Sequence, residues 1–203
     1  MKYLLPTVTL TALSFTITVV VQANLKRLAK FSTLKTIYKG TYKHEKEVTT
    51  IDIQNSILAS GSFDYSVQVW NIENKTKLYQ VNHTSGVFCV KIVGELLVSC
   101  GDKTIRIWKL KNGNLLHKLQ LPDWCRNFDL NFKNTLLAVA HDFGVSIWDF
   151  SRLRSFDGKD FSVQIPIMEI PTLKKVMDVR FSESGTRLIV GQHDGKVFKV
   201  DLY

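Results

Sequence analysis

The chain has 203 residues, 45% of them apolar, which is enough for one domain with a sizeable core. Its 27 lysines and arginines outnumber its 18 aspartates and glutamates, and the formal charge of +9 favours acidic partners such as phosphoproteins, nucleic acid or anionic lipid. Solvated strand edges explain the same charge, and no aromatic-studded basic cluster marks a nucleic-acid groove. Three cysteines without CxxC spacing argue against a disulfide framework or a zinc site, so we predict no metal and no cofactor.

Residues 1–30 form an apolar N-terminal segment that differs from the rest of the chain. Lys2 precedes an apolar run that ends near Val21-Gln22-Ala23, which is the outline of a secretory leader. From Val8 to Val19, however, apolar residues alternate with Thr and Ser, which is typical of a strand. Three interpretations stay open: a leader or membrane anchor, a degenerate blade remnant, or the altered N-terminus of a longer gene product.

From residue 34 onwards the chain repeats one pattern of short strands. Three segments read D-x-x-V/I-x-V/I-W, namely DYSVQVW at 64–70, DKTIRIW at 102–108 and DFGVSIW at 142–148, and their tryptophans are 38 and 40 residues apart. A fourth copy, DGKVFKV at 194–200, ends in Val200. A short apolar strand precedes each copy (57–62, 96–101, 136–141 and 187–192), and an alternating strand precedes that one (48–53, 87–92, 125–130 and 176–181). Polar bends lead on to a fourth strand, as at 77–81 and 115–119.

Four strands per unit of about 40 residues are the signature of propeller blades. The sequence therefore predicts an all-β fold, a partial β-propeller of about four blades within residues 31–203. The predicted units are 34–71, 77–109, 115–149 and 162–203, and 34–38 is predicted as a fourth-strand type. The stretch 151–171 lengthens the third connection, and we interpret it as a surface loop, either a recognition loop or a tolerated excursion.

The repeats resemble the WD-repeat family over residues 34–203. The resemblance implies a buried hydrogen-bonded set in each blade: a loop His, a Ser or Thr of the second strand, the turn Asp and the third-strand Trp. The first unit offers His44, Ser60, Asp64 and Trp70, the second offers His83, Ser99, Asp102 and Trp108, the third keeps Asp142 and Trp148, and the fourth keeps Asp194. Because the Asp–His pairs recur from blade to blade, we interpret them as architectural, and no catalytic motif is present, so no enzyme is predicted.

Four units fall short of the number usual in the resembled family, so we expect that this chain alone does not close the ring. Two blade faces would then be exposed, which favours aggregation or partner binding. The interpretation at this point is the C-terminal part of a longer protein, or a shortened isoform.

The resemblance also implies that partners bind at the edge that carries the loop before each first strand and the turn before each Asp. The candidates there are Glu47, Thr49, Phe63, Phe88, Trp124, Arg126, His141, Lys175, Met177 and His193. Aromatic residues and arginine are frequent interface anchors, and arginine suits phosphate or carboxylate. The alternative is that Trp124 packs between blades and that Arg126 pairs with a neighbouring acid.

The predicted function is a WD-repeat protein-interaction module that takes other proteins, including acidic or phosphorylated peptides, or the remaining propeller blades of a longer product. Neither a small-molecule substrate nor nucleic acid is predicted as a partner. The compact blades resemble, more weakly, the F-box/WD-repeat subgroup, which are substrate receptors of ubiquitin ligases. A generic scaffold subunit of an intracellular complex is the alternative, with a cytoplasmic or nuclear location in both cases. A secreted or membrane-tethered binding domain follows only if residues 1–23 are a true leader, and the sequon at Asn82 beside His83 argues against it.

Overall fold

The computed structural model of the protein describes residues 42–131, 135–151 and 165–202, and every regular element within these ranges is a β-strand. All of the strands belong to one compact unit, residues 44–203. The predictions for residues 1–30 and for a strand at 34–38 lie outside the described residues.

The strands form four antiparallel sheets in chain order. The first sheet contains β1 (Val48–Gln54), β2 (Ile57–Ser62), β3 (Ser66–Asn71) and β4 (Thr76–Asn82). The second contains β5 (Val87–Val93), β6 (Leu96–Gly101), β7 (Thr104–Lys109) and β8 (Leu115–Gln120). The third contains β9 (Cys125–Asn131), β10 (Leu136–His141), β11 (Gly144–Asp149) and β12 (Met168–Pro171), and the fourth contains β13 (Val176–Phe181), β14 (Arg187–Gln192) and β15 (Val197–Asp201).

The second strand of each sheet has the bounds that the apolar runs predict. All four are paired on both sides within their sheets, and β6 and β10, which lie between neighbouring sheets, are near-continuously apolar or small rather than alternating. Gly61 on β2 shows how closely the sheets approach, because a Cβ there would lie 2.6 Å from a methyl group of Val87 in the next sheet. Small residues at the ends of these strands therefore serve the packing of sheet on sheet.

The third connection differs from its interpretation as a loop throughout. Its last four residues form β12, which pairs with β11 from Ile147 to Gly144 and completes the third sheet. Gly144 allows this close pairing, since its φ is +147° and an added Cβ would lie 2.1 Å from the carbonyl oxygen of Ile170. The segment MEIP is too short and too irregular in polarity to show a strand period of its own.

The core lies between successive sheets and consists of three apolar clusters, one for each junction. The first strands contact one another in order, β1 with β5, β5 with β9 and β9 with β13. Among the described strands, no pairing joins the fourth sheet to the first. The prediction of an all-β, partial β-propeller that this chain does not close is confirmed.

Candidate protein-interaction edge

Antiparallel order places eight connections at the same edge of the four sheets. They are the segments before the first strands (45–47, 83–86, 121–124 and 172–175) and the turns between second and third strands (63–65, 102–103, 142–143 and 193–196). We call this the aromatic edge, for the side chains described below. It is the edge at which the resemblance predicts partner binding.

A buried hydrogen-bonded set holds the aromatic edge in the first sheet. The His44 imidazole lies 2.8 Å from Asp64 through Nδ1 and 2.8 Å from the Ser60 hydroxyl through Nε2. The hydroxyl of Ser66 adds a 2.6 Å bond to the same aspartate, and the amide of Glu45 adds one of 3.0 Å. Burial alone would raise the pKa of Asp64, but these donors hold it well below its usual range. The ionised carboxylate therefore ties the loop before β1 to the turn after β2.

In the second sheet a series of hydrogen bonds connects an imidazole to an indole through a serine hydroxyl. Ser99 Oγ lies 2.8 Å from His83 Nε2 and accepts the indole N–H of Trp108 at 2.8 Å. The Asp102 carboxylate is 3.7 Å from His83 Nδ1, beyond hydrogen-bond length, and it accepts instead from Arg106 at 3.0 Å. Burial lowers the pKa of His83, so the imidazole is neutral at pH 7.

The third sheet uses a different histidine. His141, proposed from sequence as an exposed partner contact, is buried, and its Nε2 lies 2.8 Å from the hydroxyl of Ser146. That proposal is wrong, because the last residue of β10 points into the sheet-to-sheet core. The amide of Phe143 donates to its Nδ1, which leaves the proton on Nε2. The indole nitrogen of Trp148 has no hydrogen-bond partner among the described residues.

The turn aspartates of the last two sheets have cationic partners. Asp142 accepts two bonds from Arg126, at 2.7 and 3.0 Å, and lies 2.9 Å from Lys175 Nζ. Arg126 is the first cause that lowers the pKa of Asp142 to about 2. Asp194 in the fourth sheet is exposed and accepts from the amide of Lys196. The guanidinium fork of Arg126 is therefore engaged with a neighbouring acid, the alternative left open by the sequence.

Ring contacts and ion pairs connect the four sheets along the aromatic edge. The rings of Phe63 and Phe88 meet edge to face, with centroids 5.8 Å apart, and the Arg126 guanidinium lies 5.8 Å from the centre of the Phe88 ring. Asp142 bridges Arg126 to Lys175, which directly precedes β13 of the fourth sheet. Four of the sequence-derived candidates, Phe63, Phe88, Arg126 and Lys175, are thus linked from the first sheet to the fourth, the last two through Asp142.

Every exposed aromatic side chain in the described part of the chain lies at this edge. These are Phe63, Tyr65, Trp124 and Phe143. Tyr65 has φ +76°, a left-handed conformation that non-glycine residues rarely adopt, and it is held there inside a tight turn. Sequence reasoning missed Tyr65 and Phe143, although each directly follows its turn Asp and that position could have pointed to them.

The other candidates differ in exposure. Glu47, Lys175, Met177 and His193 are exposed, whereas Thr49 is half-buried and donates to the carbonyls of Gly61 and Val87, so it joins the first two sheets. The three cysteines are buried free thiols between the second and third sheets. No cluster of three or more His, Cys, Asp or Glu with the geometry of a metal site occurs within 42–131, 135–151 and 165–202.

The family model described as WD domain, G-beta repeat matches residues 34–71 and 75–109. The small ribosomal subunit protein RACK1y of Oryza sativa subsp. japonica is 32% identical over 154 residues, which are 70% of this chain and 44% of that protein. The chain therefore contains WD repeats. The ribosome biogenesis protein YTM1 of Eremothecium gossypii is 35% identical over 82 residues, 39% of this chain and 18% of YTM1.

This WD-repeat chain thus spans less than half the length of these relatives. Among solved structures, the computationally designed Ika4 protein superposes with a TM-score of 0.67 at 18% identity, over 81% of this chain and 96% of Ika4. That likeness bears on the fold alone. WD repeats indicate a protein-interaction module, as predicted. Within the described residues there is no helix long and apolar enough to cross a membrane.

Proposed function

We propose that this chain is a protein-docking module that binds a partner segment across the aromatic edge, as part of a scaffold subunit in a ribosomal or ribosome-assembly complex. The observation that carries the docking proposal is the confinement of Phe63, Tyr65, Trp124 and Phe143 to one edge. Large aromatic side chains provide much contact area for few rotatable bonds, which is why they dominate binding energy at interfaces. The proposal includes no chemical reaction. His44 and Ser60, the pair held by Asp64, are buried. A His–Ser contact recurs in the next sheet at His83 and Ser99, which favours an architectural role.

The setting of the proposal comes from the relatives. RACK1y is named as a small ribosomal subunit protein and YTM1 as a ribosome biogenesis protein. Ribosomal particles are strongly acidic assemblies, and the formal charge of +9 of this chain suits such surroundings through long-range attraction. A cytoplasmic or nuclear location is part of this proposal.

The narrower hypothesis, a substrate receptor of an F-box-type ubiquitin ligase, remains a prediction. It comes from the compact spacing of the blades, and Arg126 would be its contact for a phosphorylated or acidic peptide. Because Arg126 binds Asp142 in a bidentate pair, an incoming phosphate would have to displace a carboxylate that Lys175 also holds. Lys46 and Lys103 are exposed cations of the same edge, but Lys103 is paired with Asp123 at 3.1 Å.

The test compares two sets of substitutions in the full chain, expressed with a tag. The edge variant carries Phe63→Ala, Tyr65→Gly, Trp124→Ala and Phe143→Ala, and the control carries Leu78→Ala and Leu115→Ala, exposed apolar residues on the outermost strands β4 and β8. Each anchor that contributes about 2 kcal/mol would weaken binding about 30-fold. We expect the wild type and the control to sediment with ribosomal particles and the edge variant to remain in the light fractions.

Folding of each variant is checked by circular dichroism and by urea denaturation. Equal co-sedimentation of the edge variant and the wild type would contradict docking at this edge. Co-sedimentation that is unchanged by the edge substitutions but lost after ribonuclease treatment would indicate RNA contact instead. Co-purification with cullin-containing complexes, and none with ribosomal particles, would favour the ligase hypothesis over the ribosomal setting.

A further inference from the structure

The first sheet exposes positions that are buried in the sheets that follow. Ile51 on β1 is 68% exposed, whereas Val90 and Phe128, at the same register position of β5 and β9, are 2% and 0% exposed. Ile53 is 56% exposed, and the equivalent Ile92 is 8% exposed. In the inner sheets this side packs against the preceding sheet, so the first sheet presents an apolar face that is made for a neighbour.

The fourth sheet exposes the complementary positions. Val197 on β15 is 71% exposed, whereas Ile105 and Val145, at the same register position, are 0% exposed. Ile189 on β14 is 39% exposed, and the equivalent Ala138 is 0% exposed. In the inner sheets these residues pack against the sheet that follows. Among the described residues, the fourth sheet has no following sheet and the first has no preceding one.

Charges on the first strands indicate what fits between these two faces. One register position of β1, β5, β9 and β13 carries acid, base, acid and base in turn, namely Asp52, Lys91, Asp129 and Arg180. The base of the second sheet forms an ion pair with the acid of the third, Lys91 with Asp129. Each acid also accepts a backbone N–H from the sheet that follows it, Asp52 from Ile92 at 2.6 Å and Asp129 from Phe181 at 2.9 Å.

The alternation ends in a base that has no following acid. The Arg180 side chain is 49% exposed, and the acid it reaches is a half-exposed one of its own strand, Asp178, at 3.1 Å. It also donates to the backbone carbonyls of Val179 at 3.0 Å and Phe128 at 3.4 Å. The ion pair between the second and third sheets shows what a continued series would need, because there the base of one sheet meets the acid of the next. The acid that restores this order after Arg180 is Asp52, at the other end of the same series of sheets.

We propose that two copies of this chain pack head to tail, with the fourth sheet of each against the first sheet of the other. Arg180 of one copy faces Asp52 of the second, and Ile189 and Val197 cover Ile51 and Ile53. Two identical contacts close the pair under twofold symmetry and remove both exposed apolar faces. A second copy suits these faces because both are apolar and because Asp52 and Arg180 carry opposite charges.

The test uses sedimentation equilibrium of the full chain between about 1 and 100 µM, the range in which interfaces of moderate affinity dissociate. Arg180→Glu and Asp52→Lys each place like charges opposite each other at both contacts, so each should raise the dimer dissociation constant at least about tenfold. An equimolar mixture of the two variants should restore the dimer, because one contact then joins the two reversed charges and the other joins the two native ones. Lys118→Glu, an exposed reversal of the same size on β8, should leave the dissociation constant unchanged.

Asp52→Lys also removes the acceptor of the Ile92 amide, so a second pair of variants protects the test from misfolding. Ile51→Lys and Val197→Glu lie on the two exposed faces, and neither makes a hydrogen bond through its native side chain. Each alone should abolish the dimer, and their mixture should restore it. A wild type that is monomeric throughout would overturn the proposal, and so would a dimer indifferent to both pairs of variants or open polymers without a closed pair. The outcome is independent of partner docking at the aromatic edge.

Discussion

Ser99→Ala tests how much the buried hydrogen-bonded set of the second sheet stabilises the fold. Ser99 is fully buried, and its hydroxyl serves both His83 Nε2 and the indole N–H of Trp108, each at 2.8 Å. The substitution leaves two buried polar groups without a partner. An unsatisfied buried group costs about 1–3 kcal/mol, so the expected loss in the free energy of unfolding for the two groups is about 2–6 kcal/mol. Urea denaturation followed by circular dichroism measures this loss.

Substitutions of two further serines give stability losses with which the loss caused by Ser99→Ala can be compared. Ser146→Ala leaves only His141 Nε2 unsatisfied and should cost about 1–3 kcal/mol, less than Ser99→Ala. Ser184→Ala, in an exposed turn, should stay within about 0.5 kcal/mol of the wild type. In a Trp108→Phe background the loss caused by Ser99→Ala should shrink, because one of the two orphaned groups is already absent. A Ser99→Ala protein as stable as Ser184→Ala would refute the reasoning that the hydroxyl satisfies both rings.

Acidification should destabilise the fold in two stages. Burial lowers the pKa of His83 and His141 below the ordinary 6.5, so the unfolded chain binds more protons and stability falls as the pH drops below 6.5. A second loss of stability should follow below pH 3.8, the ordinary pKa of aspartate, because the pKa of Asp142 in the folded protein is about 2. Asp142→Asn should remove part of this second loss and leave the first unchanged. Urea midpoints measured between about pH 7.5 and pH 3 check both stages. Gly144→Ala should destabilise the fold by at least about 1–3 kcal/mol in urea denaturation, because the added Cβ would meet the Ile170 carbonyl oxygen. Gly94→Ala, at φ +59° with nothing within 4 Å of the added Cβ, should cost only about 1 kcal/mol. Equal losses in the two variants would contradict the steric argument. Tyr65→Gly relieves a left-handed conformation, so thermal unfolding should show stability unchanged or raised by up to about 1 kcal/mol. Co-sedimentation with ribosomal particles should weaken. A loss of stability together with a loss of co-sedimentation would show that the Tyr65 ring supports the fold.

The strands were predictable because a fold that buries the same positions sheet after sheet repeats its pattern. The apolar run ILASGS and its three counterparts have the bounds of β2, β6, β10 and β14. β12 escaped prediction, since four residues of mixed polarity carry no period, and its pairing depends on the glycine opposite, Gly144. His141 was misplaced because a residue beside a turn Asp reads as exposed, whereas the last residue of β10 points inward.

Contacts between sheets were harder to foresee than the strands. The acid–base order from Asp52 to Arg180 is visible once the first strands are aligned, at steps of 39 and 38 residues and a third step of 51 residues that includes the long third connection. Which acid bonds to which neighbour is not visible, since Asp129 takes both the Lys91 ammonium and the Phe181 amide. Such pairing depends on the distance and rotation between adjacent sheets, which the sequence of one sheet does not contain.

The turns that carry the exposed aromatic side chains are the same turns that the hydrogen-bonded aspartates hold in place. The turn that presents Phe63 and Tyr65 is tied at its base by Asp64 to His44, and the turn that presents Phe143 is tied by Asp142 to Arg126. In the fourth sheet the turn Asp is exposed and bonded only within its own turn, and no aromatic residue stands beside it. Aromatic side chains therefore stand on turns that are already fixed, and a fixed side chain loses less entropy when a partner covers it. Substitutions at the half-buried Asp64 should for this reason weaken docking without touching the partner.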